Sequence, residues 1–565
     1  MSIEDRPTVR ATYHLVRFAH RVVGPHWHRA FLLLVCLLVR LIALDADPPA
    51  WLSWSTGLYT DEGFYTLDAR HEALFGTAAP GSFHDRLLSP LLSILQQGVF
   101  ALFGAGIVQA RALSVGFGLL TVLVFWLGLR RAYGARTADL GALLLGLAPP
   151  FALYNRLALQ ETPAVFWLTL AFLCWTYGGR SKAFYALAGM SLATALVFKG
   201  LAIVAVGALA APPAPNNGGA REDKNEKAGA MNHASAGRSF PTPPLLGAGG
   251  LLFGLALYAV VWYAPHHTEL SRMATYYRVH QMQPHSWHSL GLNFRRAYIG
   301  GERGVFPYLL ATLPVPCLLV GWGSLRRRAW SATDQFLALW LVGFLLFCCV
   351  SSYAPSRYYV LFLPALAGLA AHVLSEWRRP LQIAVIALFL LTSAAWYGVS
   401  WVERSYSQRD ASHALVHLLP PHSIVIGDFA PRLCLDTPFA ATTVQPGLAN
   451  DDHPVESLGA THIVVVRNTG YWQDWWHTRY PNLLQPSRRV ASFEFGGSRQ
   501  YMVDMYSVPN KGNEGSHVEN TAASAARTDN GEYRRSAFSQ AGQVRRHRPG
   551  VVARAAHPSR RQRLL

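Results

Sequence analysis

Apolar residues in this chain run in long blocks, without the alternation of a half-buried sheet or the one-sided stripe of a surface helix. Leu, Ala, Val and Phe dominate stretches near 30–46, 108–129, 138–154, 163–178, 183–198, 200–212, 245–263, 305–323, 333–351, 358–376 and 380–400. A helix that crosses a bilayer needs about 20 mostly apolar residues, with some tolerance for tilt. The pattern therefore predicts a polytopic membrane protein of about eleven spanning helices. Pro149, Pro150 and Pro364 fall near helix ends, where neighbouring helices can satisfy the carbonyls they free.

Short basic clusters separate the blocks: Arg130, Arg131 and Arg136; Arg180 and Lys182; Arg326, Arg327 and Arg328; Arg378 and Arg379. Loops of this kind stay in the cytoplasm. All four clusters share the side of the N-terminus only if the apolar segment 88–104 does not cross. That segment is therefore expected to lie in the interface as a helix, with Gln96 and Gln97 near its middle. The outside loops then fall near 47–107, 155–162, 199, 264–304 and 352–357. The first block, Phe31 to Leu44, follows a basic stretch and precedes no small-residue cleavage site, so it reads as a retained first helix with its N-terminus inside.

Beyond residue 400 the rhythm changes. Ser423–Gly427 and Thr461–Arg467 read as short buried strands and Ala411–Leu419 as a helix. The expected architecture is an all-α membrane domain over 30–400, preceded by a cytoplasmic segment, 1–29, and interrupted by a flexible cytoplasmic insertion near 213–244. A small extracytoplasmic α/β domain, 401–510, and a disordered basic tail, 511–565, follow.

Composition agrees: 51% of residues are hydrophobic and 15% charged, against roughly 25% charged in soluble domains. The net charge of +18 sits at the ends of apolar blocks and in the tail, not on an aromatic-interleaved face, so nucleic acid is not an expected partner. The six cysteines form no metal or disulfide framework. The absence of a P-loop, a GxSxG elbow or a dinucleotide fingerprint removes support for a cytoplasmic nucleotide-sugar site.

Ionisable residues at a membrane edge are costly and therefore informative. Four groups stand out, all on the outer side of this topology. Asp61 and Glu62 lie in the first outside loop. In a helix starting there, Asp61, Tyr65, Asp68 and Glu72 share one face, where a carboxylate can serve as general base or simply favour a helix N-terminus. Glu161 sits between two apolar helices, either in a site or capping the helix that Pro163 opens. Lys199 either neutralises a phosphate or snorkels. Arg357 stands on the outer side against the positive-inside bias, and its planar fork suits phosphate oxygens. Histidines in the 264–304 loop and the Tyr471–Trp472 and Trp475–Trp476 pairs read as surface or packing residues.

The ordered set Asp61-Glu-Gly-Phe-Tyr65, Leu102-Phe-Gly104, Ala110-Arg111, Arg156-Leu-Ala-Leu-Gln-Glu161-Thr-Pro163, Phe198-Lys-Gly200 and Arg357-Tyr358 resembles the multi-spanning glycosyltransferases that use lipid-phosphate sugars. These include protein O-mannosyltransferases and the lipid A aminoarabinose transferase. The resemblance covers about residues 30–400 and implies a GT-C-type fold. It implies a polyprenyl-phosphate-sugar donor, a protein, lipid or polysaccharide acceptor, and a site on the outer face of a plasma membrane, in a bacterium facing the periplasm. It places Asp61, Glu62 and Glu161 at the catalytic centre, with Lys199 and Arg357 at the donor phosphate and Tyr65, Arg156 and Tyr358 in the substrate cavity. Relatives carry a lysine in a Lys-Pro-Pro-Leu run before the interfacial helix. Here the run is Asp85-Arg86-Leu-Leu-Ser-Pro90, and Arg86 is the candidate substitute. No cofactor is implied with certainty, and a divalent metal is left unassigned. The rival readings are a carrier or flippase of polyprenyl-linked lipids and a non-catalytic glycolipid-binding relative.

Overall fold

The structure is a computed structural model and describes residues 27–81, 86–212, 242–280, 286–300, 304–326, 330–351, 353–467, 470–496 and 501–509. The segment 1–26, most of the expected insertion (213–241) and the tail from 510 lie outside the described residues. The described residues up to Val508 form one compact unit.

The apolar blocks fold as helices because a backbone in lipid must satisfy its own hydrogen bonds. The first half contains α1 (Trp27–Leu41), α2 (Gly57–Phe75), α3 (Pro90–Phe103), α4 (Ile107–Tyr133), α5 (Ala135–Gly146), α6 (Pro149–Tyr154), α7 (Glu161–Tyr177) and α8 (Ala183–Phe198), then a 3-10 stretch, Gly200–Ala210. The second half contains α9 (Thr242–Tyr258), α10 (His267–His280), α11 (Trp287–Tyr298), α12 (Val305–Thr312), α13 (Pro314–Arg326), α14 (Ala332–Val350), a 3-10 turn at Ser356–Phe362, α15 (Leu363–Ser375) and α16 (Arg379–Val402).

Prolines explain where the expected blocks break. Pro149 and Pro150 occupy the first turn of α6 and split the 138–154 block from α5. Pro314 opens α13 directly after α12, and the two helices meet at a bend of 112°. Among the described residues, five helices are long and apolar enough to cross a membrane, or six if that bent pair is one span. An expectation of about eleven crossings thus leans on shorter helices such as α1, α7 and α8. The 88–104 segment forms α3, only 14 residues long.

After α16 come α17 (Ser407–Leu418), α18 (Ala430–Leu433), α19 (Pro454–Ser457), α20 (Gly470–Arg479) and a five-stranded sheet. Its order is β2 (Ala440–Thr442), β1 (Ile424–Ile426), β3 (His462–Val466), β5 (Tyr501–Ser507), β4 (Arg489–Phe495). The first three strands are parallel, and β5 runs antiparallel between β3 and β4. Trp476 of α20 is buried in the sheet's second core, so it packs the fold and does not offer a sugar platform. The side chains of Tyr471 and Trp472 lie outside the described residues.

Helix α2 is held between this layer and the apolar helices. Arg70 donates to the carbonyls of Leu435, Thr437 and Phe439 at 3.2, 2.6 and 2.7 Å, and His71 bonds the Ala441 carbonyl at 2.9 Å. Upstream, Asp47 accepts from the Ser405 hydroxyl and from the backbone and hydroxyl of Ser407, each at 2.7 Å.

Small residues let α8 and α9 touch backbone to backbone. A Cβ added at Gly189 would stand 2.0 Å from the Gly247 carbonyl oxygen, and one at Gly250 2.0 Å from that of Ala186. Neighbouring helices in lipid associate through such close approaches. Gly189→Leu is therefore expected to prise the pair apart and to lower the melting temperature of the purified protein. The cost is about 1–3 kcal/mol, as for overpacking elsewhere.

Candidate active site

Four separate elements bring the sequence-predicted charges together. Asp61 and Tyr65 project from α2, one turn apart. Glu161 is the first residue of α7, Lys199 is an extended residue between α8 and the 3-10 stretch, and Arg357 and Tyr358 lie in the 3-10 turn before α15. Arg357 Nη2 stands 2.9 Å from Asp61 Oδ2, and its Nε stands 3.5 Å from Glu161 Oε1. Lys199 Nζ is 3.0 Å from that same Glu161 oxygen and donates to Gln160 Oε1 at 3.3 Å. The lysine also lies over the rings of Tyr65 and Tyr358, at 5.6 and 5.1 Å from their centroids. Gly57 makes room for this cluster: a Cβ there would fall 2.7 Å from both Arg357 Nη1 and Asp61 Oδ1.

These residues face a cavity of about 630 Å3, lined among others by Asp61, Tyr65, Lys199, Tyr353, Arg357 and Tyr358. Glu161 stands behind the two cations rather than at the surface of the cavity. The wall opposite is built by Asp428, Phe429, Gln445, Val466 and Tyr501, all from the C-terminal layer. Burial pushes the Asp61 carboxyl above the ordinary aspartate range, against the pull of Arg357 and with help from Glu161. Arg357 Nη1 has no hydrogen-bond partner among the described residues. A buried guanidinium nitrogen without an acceptor, beside a lysine, is suited to an anionic oxygen.

Three expected residues sit elsewhere. Glu62 points away from the cavity into a frame. It takes Arg111 Nε at 2.7 Å and Nη2 at 2.5 Å, and accepts the Ala158 N–H at 2.8 Å. Burial opposes its ionisation, and Arg111 overrides that, holding the carboxyl below its usual range. Arg156 turns to the Ala43 carbonyl. Arg86 is exposed in the turn ahead of α3 and is not among the residues that line the cavity. The one-face alignment of Asp61, Tyr65, Asp68 and Glu72 is also only half realised: Asp68 accepts the Ala79 N–H at 2.9 Å, and Glu72 is exposed. The helix begins at Gly57, so Asp61 lies past its first residues and does not cap it.

Among the described residues no group of His, Cys, Asp and Glu is disposed to hold a metal ion. His266 stacks on Trp262 and bonds its carbonyl at 2.9 Å, while the side chains of His280 and His285 lie outside the described residues. The sequence reading missed Tyr353, Gln160 and the whole C-terminal wall. Their signal was long-range contact, which no local motif carries.

Residues 88–213 match the family described as dolichyl-phosphate-mannose-protein mannosyltransferase. No curated protein matches the sequence. The crystal structure of ArnT from Cupriavidus metallidurans bound to undecaprenyl phosphate is similar at 15% identity and a TM-score of 0.57, covering 86% of this chain and all (100%) of that one. The apo structure of the same protein gives 15% identity and a TM-score of 0.55 over the same shares, 86% and 100%. The fold is that of these ArnT structures. The chain is an integral membrane protein with a small C-terminal sheet, and the matched segment 88–213 carries Arg111, Glu161 and Lys199.

Proposed function

We propose that the chain is an inverting glycosyltransferase moving a sugar from a polyprenyl-phosphate carrier to a hydroxyl acceptor. The observation that carries this reading is the meeting of Asp61, Lys199 and Arg357 on one cavity wall, with Glu161 bracing both cations. Asp61 takes the proton of the acceptor hydroxyl as its oxygen attacks the anomeric carbon. The bond from that carbon to the phosphate oxygen breaks, and the electron pair leaves with the polyprenyl phosphate. Lys199 and Arg357 hold the charge that develops there. Support for the donor class comes from the similarly folded Cupriavidus protein, whose structure holds undecaprenyl phosphate.

In this reading Glu62, for all its proximity, organises the first loop and stays out of the chemistry. Residues 30–400 make the membrane domain, with about eleven crossings if the short apolar helices also span. Residues 401–510 cover the site from outside, and the site faces the periplasm of a bacterial plasma membrane.

The functional test is mass spectrometry of envelope glycans and polyprenyl-phosphate sugars in cells with and without the protein. One missing glycan and an accumulating donor are expected. Unchanged profiles of both would refute transfer. A binding measurement isolates the phosphate contacts: Lys199→Met and Arg357→Met should each weaken capture of undecaprenyl phosphate by about tenfold or more, the loss typical of a charge-assisted hydrogen bond.

A further inference from the structure

The wall of the cavity that faces away from the apolar helices carries an acid that the reaction above does not use. Strand β1 ends at Ile426, and Gly427 follows with φ 127°, in the region that side chains disfavour. A Cβ there would lie 2.1 Å from the Val464 carbonyl oxygen of the adjoining strand. This tight exit delivers Asp428 into the cavity beside Phe429, Gln445 and Tyr501.

Asp428 is the unmatched charge of the site. Asp61 and Glu161 answer Arg357 and Lys199, whereas Asp428 makes no hydrogen bond or ion pair with any described residue. Burial alone pushes its carboxyl up to about 7. Asp428 is half-buried and opens on the cavity, so its oxygens are available to a ligand there.

The ligand's chemistry follows from its surroundings. A cationic group entering the cavity would face Lys199 and Arg357, so a neutral donor is favoured. A carboxyl near neutrality can both accept from and donate to a hydroxyl. The sugar is covalently joined to the phosphate that the two cations would hold, so it must occupy the same cavity. We infer that Asp428 is a specificity residue of the C-terminal layer that hydrogen-bonds the hydroxyls of the sugar carried by the donor. This rests on the proposed function and adds to it a recognition element outside the apolar helices.

The test uses the full chain in lipid nanodiscs and compares bare undecaprenyl phosphate with a panel bearing mannose, glucose or arabinose. Asp428→Ala should weaken the best-bound sugar lipid by about tenfold, while the bare lipid moves by less than about twofold. Asp428→Asn, which keeps an acceptor and gains a donor, should recover most of the loss. Equal weakening of both lipids, or no weakening of the sugar lipid, would overturn the inference. So would wild-type protein that binds the bare lipid and none of the panel. If the wild type binds neither class of lipid, the glycosyltransferase reading itself has failed. A melting curve for Asp428→Ala separates these outcomes from misfolding, and it should match the wild type because no protein group depends on this carboxyl.

Discussion

Asp61→Asn should reduce sugar transfer by roughly a hundred- to ten-thousand-fold, the range for losing a positioned general base, while undecaprenyl phosphate stays bound. The amide keeps the size and one acceptor oxygen of the carboxylate, so Arg357 remains in place through its second contact, at 3.5 Å, with Glu161. What vanishes is the ability to take a proton. The defect should therefore fall on kcat and leave the KM for the donor nearly unchanged. Asp61→Glu should not rescue, because the extra methylene drives the carboxylate toward a guanidinium already 2.9 Å away. The pH profile adds a second readout. The base must be ionised to act, and burial raises its pKa. Activity should thus fall, as pH is lowered, at a higher pH than for an exposed aspartate. Wild-type turnover by the asparagine variant would remove Asp61 from the chemistry.

The second large effect concerns a residue that never meets substrate. Arg111→Met is expected to cost about 3–5 kcal/mol, the range for stripping one partner from a buried ion pair, and to abolish accumulation of folded protein. Arg111 and Glu62 are each only 1% exposed, and the arginine also donates to the Leu44 and Ala46 carbonyls at 2.7 Å. Its loss leaves the Glu62 carboxylate with the Ala158 N–H as its remaining hydrogen bond and frees both carbonyls. The double variant Arg111→Met, Glu62→Leu should recover part of the loss, since the Glu62 charge is removed together with its partner. Expression level and thermal melting in detergent check both. A stable single variant would show that the pair is dispensable to the fold.

The contrast between neighbours Asp61 and Glu62 shows what a sequence can convey. Both are acids in one short run, and both resemble the acidic motif of the glycosyltransferases. Successive positions on a helix point about 100° apart, so one reaches the cavity and the other the frame. Which does which depends on where Arg111 and Arg357 arrive from, and that is tertiary information. The apolar blocks, helix α3 and strands β1 and β3 were legible because solvent and periodicity mark them locally. Lys199 and Arg357 were legible for a related reason: a cation at an apolar edge has to be explained. Arg156 and Arg86 entered through the family resemblance alone; Arg156 bonds a backbone carbonyl and Arg86 stays at the surface. Asp428 was invisible, since an acid after a strand is an ordinary turn residue until the cavity beside it is seen.

The anchoring of α2 has a bearing on biosynthesis. Arg70 closes on carbonyls that lie 365 to 369 positions further along the chain. At roughly 5–20 residues per second, a ribosome delivers those partners on the order of half a minute after the arginine itself. Throughout that interval the carboxylate-bearing helix is exposed to proteases and chaperones without its clasp. A prematurely terminated polypeptide can insert its early helices and still never assemble a reaction chamber.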